Sequence, residues 1–353
     1  MPLLPLSGHK TLRAQLLEAL ASDRLPQVIL LTGLSGVGKE RLALWLAQRM
    51  VCSGPAGEPC GMCGGCQKVL GLAHPDVHWL TPVPRPKAGD ADKQVEEVAE
   101  LLESAMAERR AAPLWSAPDG MAIHGVASAR LVQRRASLTA SEGGWRVFII
   151  GHAERLVPQE SSPEAANALL KLLEEPPPRS LFVLTTAEAG SLLPTIRSRA
   201  VPIRVGRLTD DEVGEFVRGH GSPMVSDETV RAAGGSIGSA LRATGNGRSV
   251  GVAAAREYLD VIARGQADGA ERSLRQGPWQ ARGDFTALLD GLAKVLSDDA
   301  RAALVAGGAS DEAKAKLAAV DRVMAAREQA QGNVNPQLLL AVLTDDLIRL
   351  QAA

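Results

Sequence analysis

All four cysteines of the chain lie within fifteen residues, spaced Cys52-x7-Cys60-x2-Cys63-x2-Cys66. Four thiolates so arranged can close a tetrahedral shell around Zn(II), because two-residue spacers let a tight knuckle present successive sulfurs to one ion. Gly61, Gly64 and Gly65 supply the turns and the close backbone approach that such a knuckle needs. A closed four-sulfur shell leaves no position for water, so the expected zinc is structural rather than catalytic. Free thiols and an iron–sulfur cluster are the competing readings. Paired disulfides are not expected in a reducing compartment.

The second segment with chemistry in it is Gly33-Leu-Ser-Gly36-Val-Gly38-Lys39-Glu40. It lies between an apolar run and a helical pattern, where a phosphate-binding loop belongs. Gly33, Gly36 and Gly38 would free backbone N–H groups to cradle phosphates, and Lys39 would reach the β- and γ-phosphates. The pattern wants Ser or Thr next as a magnesium ligand, and this chain has Glu40. The apolar run 147–150 should likewise lead into an Asp for magnesium and an acid to activate water. Gly151 and His152 stand there instead, and Glu154 follows two residues on, with its direction along the chain changed. Two independent losses make self-sufficient ATP hydrolysis unexpected. They leave binding of ATP or magnesium open.

The elements that must carry these segments follow from periodicity. Short apolar runs at 28–33, 77–80, 147–150, 181–186 and, more weakly, 201–205 read as strands. Helical patterns at 39–50 and 163–175 alternate with them, the latter stopped by Pro176-Pro-Pro178. Such alternation predicts an α/β domain with a parallel sheet over residues 1–206. Beyond it the strand signals stop. Thr209 and Glu212 form a capping-box pattern, Gly245-Asn-Gly247 is a break, and helices are predicted at 252–264, 284–305, 310–331 and 336–351. Asn335 reads as the N-cap of the last helix, with Pro336 at its first position. Residues 82–122 look like an insertion, with prolines flanking a charged helix from Gln94 to Arg110. That helix either docks on its own domain or binds a partner.

Composition bounds the function. At roughly 150 residues per domain, 353 residues predict two or three domains. A 45% apolar, 22% charged chain is an ordinary globular one, which excludes disorder and disulfide-rich miniproteins. A net charge of −1 excludes a global basic field, and 3% aromatics argue against a base-stacking platform, so any nucleic-acid role is local or shared with partner subunits. No apolar stretch reaches the ~18 residues of a membrane helix, and the N-terminal residues lack a secretory pattern. The expected location is cytoplasmic, with no membrane partner.

Taken together, these motifs resemble bacterial DNA polymerase III clamp-loader subunits, and within them the delta prime branch. Gly8-His9 with Leu12, then Arg24-Leu-Pro26, is similar to the family's opening. The cysteine module, followed by His74-Pro-Asp76, is similar to its zinc module. Ala165-Ala-Asn-Ala-Leu-Leu-Lys-Leu-Leu-Glu-Glu-Pro-Pro177 resembles its most specific block, and Leu193-Pro-Thr-Ile-Arg-Ser-Arg199 the block ending in Ser-Arg-Cys. Asn333-Val-Asn-Pro-Gln-Leu338 resembles part of the collar. Ala200 departs from the family's Cys, and residues 82–122 have no counterpart in it.

The resemblance implies an AAA+ P-loop domain at 1–206 with an inserted zinc module at 52–66, an all-α lid at 207–247 and an all-α collar at 248–353. It implies Arg199 as an arginine finger acting in trans on a neighbour's nucleotide, Thr186 or Thr185 at the sensor 1 position and Arg242 as a sensor 2 residue. The bland alternatives are a surface salt bridge, β-propensity at a strand end and a solvated lid residue. Implied partners are the gamma/tau and delta subunits, with the sliding clamp and primed DNA in the assembled complex. The expected function is that of a stator without ATPase activity of its own, within the polymerase holoenzyme. A gamma/tau-type ATPase motor is the alternative, and a free-standing zinc-containing nucleotide sensor a third. The pair Gly151-His152 discriminates the first two, since a motor needs acids there.

Overall fold

The apolar runs form β1 (Val28–Thr32), β2 (Val77–Leu80), β3 (Arg146–Ile150), β4 (Ser180–Thr186) and β5 (Val201–Arg204). All pair in parallel, in the order β2-β3-β4-β1-β5. The central strands β3 and β4 are buried along their whole length because both faces of the sheet are covered. Val28, Leu30, Phe148, Ile150, Phe182 and Leu184 face one core. Ile29, Leu31, Val147, Ile149, Leu181 and Val183 face the other. The weakest run became the edge strand β5, where Pro202 is tolerated. These residues belong to a computed structural model that describes residues 3–87, 89–114, 122–142, 144–156, 164–244, 247–264, 282–307, 310–330 and 334–352.

On the second face lie α1 (Lys10–Ala21) and α2 (Lys39–Val51), the latter burying Leu42, Trp45 and Leu46. The short α3 (Gly64–Leu70) follows the cysteine loop. The first face is covered by α4 (Ala91–Ala111), α5 (Val126–Ala136) and α6 (Glu164–Glu174). Helix α4 belongs to the inserted segment and starts three residues earlier than the sequence reading, because Asp90 caps it by accepting from the Lys93 N–H. Val95, Val98 and Leu102 are buried in the sheet core, and Val83 pairs with Ile123 at the base of the segment. The inserted helix is therefore docked on its own unit.

After α7 (Pro194–Arg197) and β5 come α8 (Asp210–His220), α9 (Asp227–Ala232) and α10 (Ile237–Thr244). The predicted capping box is present at the start of α8, and the three helices share a small core of Val213, Val217, Val230 and Ala240. Residues up to Thr244 form one unit and the helices beyond it a second. The second unit contains α11 (Gly247–Ala263), α12 (Arg282–Gly307), α13 (Asp311–Gln329) and α14 (Pro336–Ala352). Tyr258, the only tyrosine of the chain, is buried there and bonds the Thr344 hydroxyl at 2.7 Å. Asn335 Oδ1 accepts from the Gln337 N–H, as a cap should. No described helix is long and apolar enough to cross a membrane. Gly245, Asn246 and Asn333, which the sequence reading also used, lie outside the described residues.

Candidate functional site

The cysteine module bridges the end of α2 and the start of α3. Cys52 is the residue at which α2 stops, and Cys63 caps α3 by accepting from the Cys66 N–H. The four sulfurs all lie within 4.8 Å of one another, and those of Cys52 and Cys63 are 4.0 Å apart. A zinc tetrahedron with bonds of ~2.3 Å has edges of roughly 3.8 Å, so closing it needs shifts of about 1 Å or less. Backbone N–H groups already point at the sulfurs: Gly54 and Cys60 donate to Cys52, Cys63 to Cys60, and Cys66 to Cys63, all at 3.3–3.4 Å. The N–H of Cys66, and after it that of Ser53, brings the Cys63 thiol down to about 6, whereas burial pushes the Cys66 thiol up. The residues thus fit a metal ion held tetrahedrally by four thiolates. Gly65 is obligatory here, since a β-carbon would stand 2.5 Å from the Val51 carbonyl oxygen. Glu58 anchors the loop by accepting from Trp45 Nε1 at 2.7 Å and pairing with Arg13 at 2.6 Å.

The phosphate-loop segment runs from the C-terminal end of β1 into α2, near the middle of the sheet. Gly36 and Gly38 have φ of 75° and 103°, a left-handed backbone that favours glycine. The Lys39 ammonium, buried, donates to the carbonyls of Gly33 at 2.9 Å and Leu34 at 2.8 Å. Burial lowers its pKa, opposed by the negative fields of Glu154 and Glu40. Residues of the following helical segment lie directly on the loop. Ser236 Oγ donates to the Ser35 carbonyl at 2.8 Å and the Gly238 N–H to that of Gly36 at 2.9 Å. The His9 Nε2 lies 2.8 Å from the Val37 carbonyl oxygen. The Gly8-His9 pair therefore positions the loop.

Beside Lys39 lies a charged cluster that the sequence reading assembled only in part. Glu40 faces His152 at 3.3 Å and Arg109 at 3.6 Å. Arg109, from the last turn of α4, is 1% exposed, with its guanidinium 3.8 Å from the Trp79 ring centroid and donating to Thr81 Oγ1 at 2.9 Å. Burial lowers it to about 10, partly offset by Glu40, so it stays charged at neutral pH. Glu154, two residues beyond His152, also sits in the cluster. A short 3-10 helix, Ala153–Leu156, brings it back to bond His152 Nδ1 at 3.1 Å. Burial opposes its charged form, but hydrogen bonds from His152 and Thr186 outweigh that and hold the carboxyl below its usual range. Thr185 accepts from the His152 N–H at 3.3 Å. His124 is wholly buried with Nε2 2.6 Å from the Gly151 carbonyl oxygen, and burial lowers it to about 4.

A magnesium-bound nucleotide does not fit these residues. The place of the hydroxyl ligand holds a carboxylate already facing a guanidinium. Gly151 offers no carboxylate, and a β-carbon there would stand 2.6 Å from Glu40 Oε1. The lysine donors are directed at the loop's own carbonyls.

Of the remaining site residues, Thr186 touches the cluster through its hydrogen bond to Glu154, whereas Arg199 and Arg242 lie away from it. Arg199 is at the start of the turn between α7 and β5, donates to the Thr195 carbonyl at 2.8 Å and pairs with Glu174 at the end of α6. Thr186 Oγ1 accepts from the Glu188 N–H at 2.9 Å. Arg242 is exposed on α10 and bonds Ser239 of its own helix at 3.1 Å.

Residues 8–209, more than half of the chain, match the family described as DNA polymerase III, delta subunit. The chain belongs to that family. It is 27% identical over 219 residues to the DNA polymerase III subunit delta' of Bacillus subtilis, a match covering 61% of this chain and 54% of that protein. The corresponding delta' subunit of Haemophilus influenzae is 32% identical over 171 residues, covering 48% of this chain and 40% of that protein. A DNA polymerase III subunit gamma/tau of Mycobacterium tuberculosis is 29% identical over 193 residues, or 54% of this chain and 26% of that protein. The chain thus spans about half, or less, of the length of these curated relatives. The family's span contains both the cysteine module and the charged cluster, and it ends at Thr209, where α8 is capped. Arg109 and His124 are the members of the cluster that motif reading passed over. For Arg109 a signal existed: it lies seven residues after Leu102, on the buried face of α4.

Proposed function

We propose that this chain is the delta prime subunit of a bacterial DNA polymerase III clamp loader, a stator that does not hydrolyse ATP itself and offers Arg199 to the ATPase site of a gamma/tau neighbour. The observation that carries the non-hydrolysing part is the fit of Glu40 against Gly151, which leaves the two positions that would hold magnesium without a usable ligand set. Family membership and the delta' relatives support the place in the polymerase assembly. The reading divides the chain into an AAA+ nucleotide-binding-like domain at 1–206, a lid at 207–247 and a collar at 248–353 that joins the other subunits. Within it Thr186 stands at the sensor 1 position, Arg242 at sensor 2, and structural zinc is held by Cys52, Cys60, Cys63 and Cys66. Clamp and primed DNA are met in the assembled complex, in the cytoplasm.

Arg199 suits the finger role because its guanidinium is permanently charged and planar, able to make a forked contact with phosphoryl oxygens. Similarity to gamma/tau subunits keeps one other reading in play, an ATP-hydrolysing motor of that type. A motor needs acids where Gly151 and His152 stand. The test is co-purification of the full chain with gamma/tau and delta, together with ATP turnover by the isolated chain. The stator reading expects a ternary assembly and no turnover above background with magnesium and primed DNA. Turnover that Lys39→Ala abolishes would establish the motor instead.

A further inference from the structure

The inserted segment 82–122 ends its helix inside the charged cluster, and Arg109 is the residue that enters. Its position is over-determined. The guanidinium lies on the Trp79 ring, donates to Thr81 and faces Glu40, all at 1% exposure. Trp79 lies in β2 and Thr81 directly follows it, next to β3, whose end leads into Gly151. Arg41, one residue after Glu40, secures the far end of the same segment by donating to the Pro113 carbonyl at 2.6 Å. One helix turn of the loop thus holds the insertion at two points, through Glu40 and Arg41.

A phosphate loop of ordinary composition has a hydroxyl at position 40 and a carboxylate after β3, and the two share a divalent cation. Here the carboxylate is on the loop side, at Glu40, and Gly151 leaves the space it fills. The Glu40 side chain is only 14% exposed, and its carboxylate is met by the Arg109 guanidinium as well as by His152. We propose that the guanidinium of Arg109 is a built-in cation that takes the place of the divalent ion, so that the inserted helix locks the phosphate loop in a metal-independent form. Charge complementarity, not just packing, then ties residues 82–122 to the loop. This deepens the reading of the loop as non-hydrolysing and rests on it.

A double-mutant cycle on the full-length chain tests the lock. Glu40→Gln, Arg109→Met and the double variant are compared with wild type by thermal unfolding, each with and without ATP and magnesium. Glu40→Gln leaves the Arg109 guanidinium buried without its carboxylate and should lose on the order of 10 °C; Arg109→Met leaves Glu40 with His152 and should lose less, and the double variant should lose less than the sum of the singles. ATP should shift the wild-type midpoint by the same amount, including zero, with or without magnesium. Additive losses in the cycle overturn the lock, and so does a magnesium-dependent ATP shift in wild type. If a single variant does not fold while the double does, the coupling is established outright. If neither single variant changes the midpoint, the pair contributes nothing and the proposal fails. Turnover by wild type separates the two levels: it defeats the non-hydrolysing reading, whereas lost coupling with zero turnover defeats the lock alone.

Discussion

The carboxylate of Glu40 lies so close to Gly151 that a β-carbon on Gly151 would stand 2.6 Å from Oε1 and 3.0 Å from Cδ. The two departures from an ATPase pattern, far apart in sequence, are therefore one feature in space. An acid cannot be restored at position 151 while Glu40 keeps its place. Gly151→Asp should destabilise the chain by about 1–3 kcal/mol through overpacking, with like-charge repulsion added. Combining it with Glu40→Thr should recover much of that loss, because the shorter side chain vacates the space. Urea unfolding of the two variants checks this, and equal instability of the single and double variants would refute the spatial account.

The cysteine module predicts about one equivalent of zinc per purified chain. Cys63→Ser should release the metal and loosen residues 52–66, because the module's glycines give it no apolar core of its own and the ligand shell holds it in place. The rest of the first unit has two large cores flanking the sheet and should stay folded. Metal analysis with limited proteolysis of the variant reads both effects. Iron with sulfide, or an absence of metal from wild type, would remove the zinc assignment.

Strands, their parallel sheet and the helix starts at Thr209 and Asn335 were legible because each is set by local periodicity or by a cap within four residues. The spacing of the four cysteines was legible for the same reason. The charged cluster was not. Glu154 lies two residues beyond His152, and only the turn into a 3-10 helix, which follows from tertiary packing, sends it back toward Lys39. Arg109 reads in isolation as one charge of the basic last turn of an exposed helix. What places it is the register of Val95, Val98 and Leu102 on the sheet core, which fixes the buried face on which a residue seven positions later must lie. His124 carries no motif, and its role follows from a carbonyl that the turn at Gly151 leaves to be satisfied.

Acid should weaken the fold in a defined window. His124 is buried with its Nε2 at the Gly151 carbonyl, and its folded value of about 4 lies below the ordinary 6.5. The unfolded chain then binds the extra proton first, so the stabilisation is full above pH 6.5 and declines as pH falls toward 4. The shift corresponds to about 3 kcal/mol for this residue. His78, also lowered to about 4 by burial, adds in the same direction. His124→Gln keeps a donor for the carbonyl but does not titrate. Urea unfolding from pH 7.5 to 4.5 should give a visibly flatter acid decline for the variant than for wild type. An identical slope would mean that His124 is not neutral in the folded chain.

Arg199 carries the sharpest prediction, and its contacts say how it would act. The guanidinium is held by Glu174 and by the Thr195 carbonyl, with the arginine side chain 26% and the glutamate 48% exposed. Pairs this open are worth about 0–1 kcal/mol, so releasing the arginine toward a neighbour's phosphates costs little. A trans-acting guanidinium matters most when charge moves onto the phosphoryl oxygens, more than when subunits dock. Arg199→Ala should therefore leave the assembly with gamma/tau and delta intact while lowering its clamp-stimulated ATP turnover. Fingers of this kind contribute roughly 10³–10⁵ in rate where chemistry is limiting. The whole complex should show a smaller drop, since its other sites keep their own arginines and slower conformational steps intervene. Arg199→Lys should fail nearly as badly, because a point ammonium cannot make the forked contact. Arg197, exposed at the end of α7 two residues earlier, is the control. Gel filtration establishes assembly and steady-state turnover reads the rate. Normal turnover by an assembled Arg199→Ala complex would leave the Glu174 pair as the whole of this arginine's role.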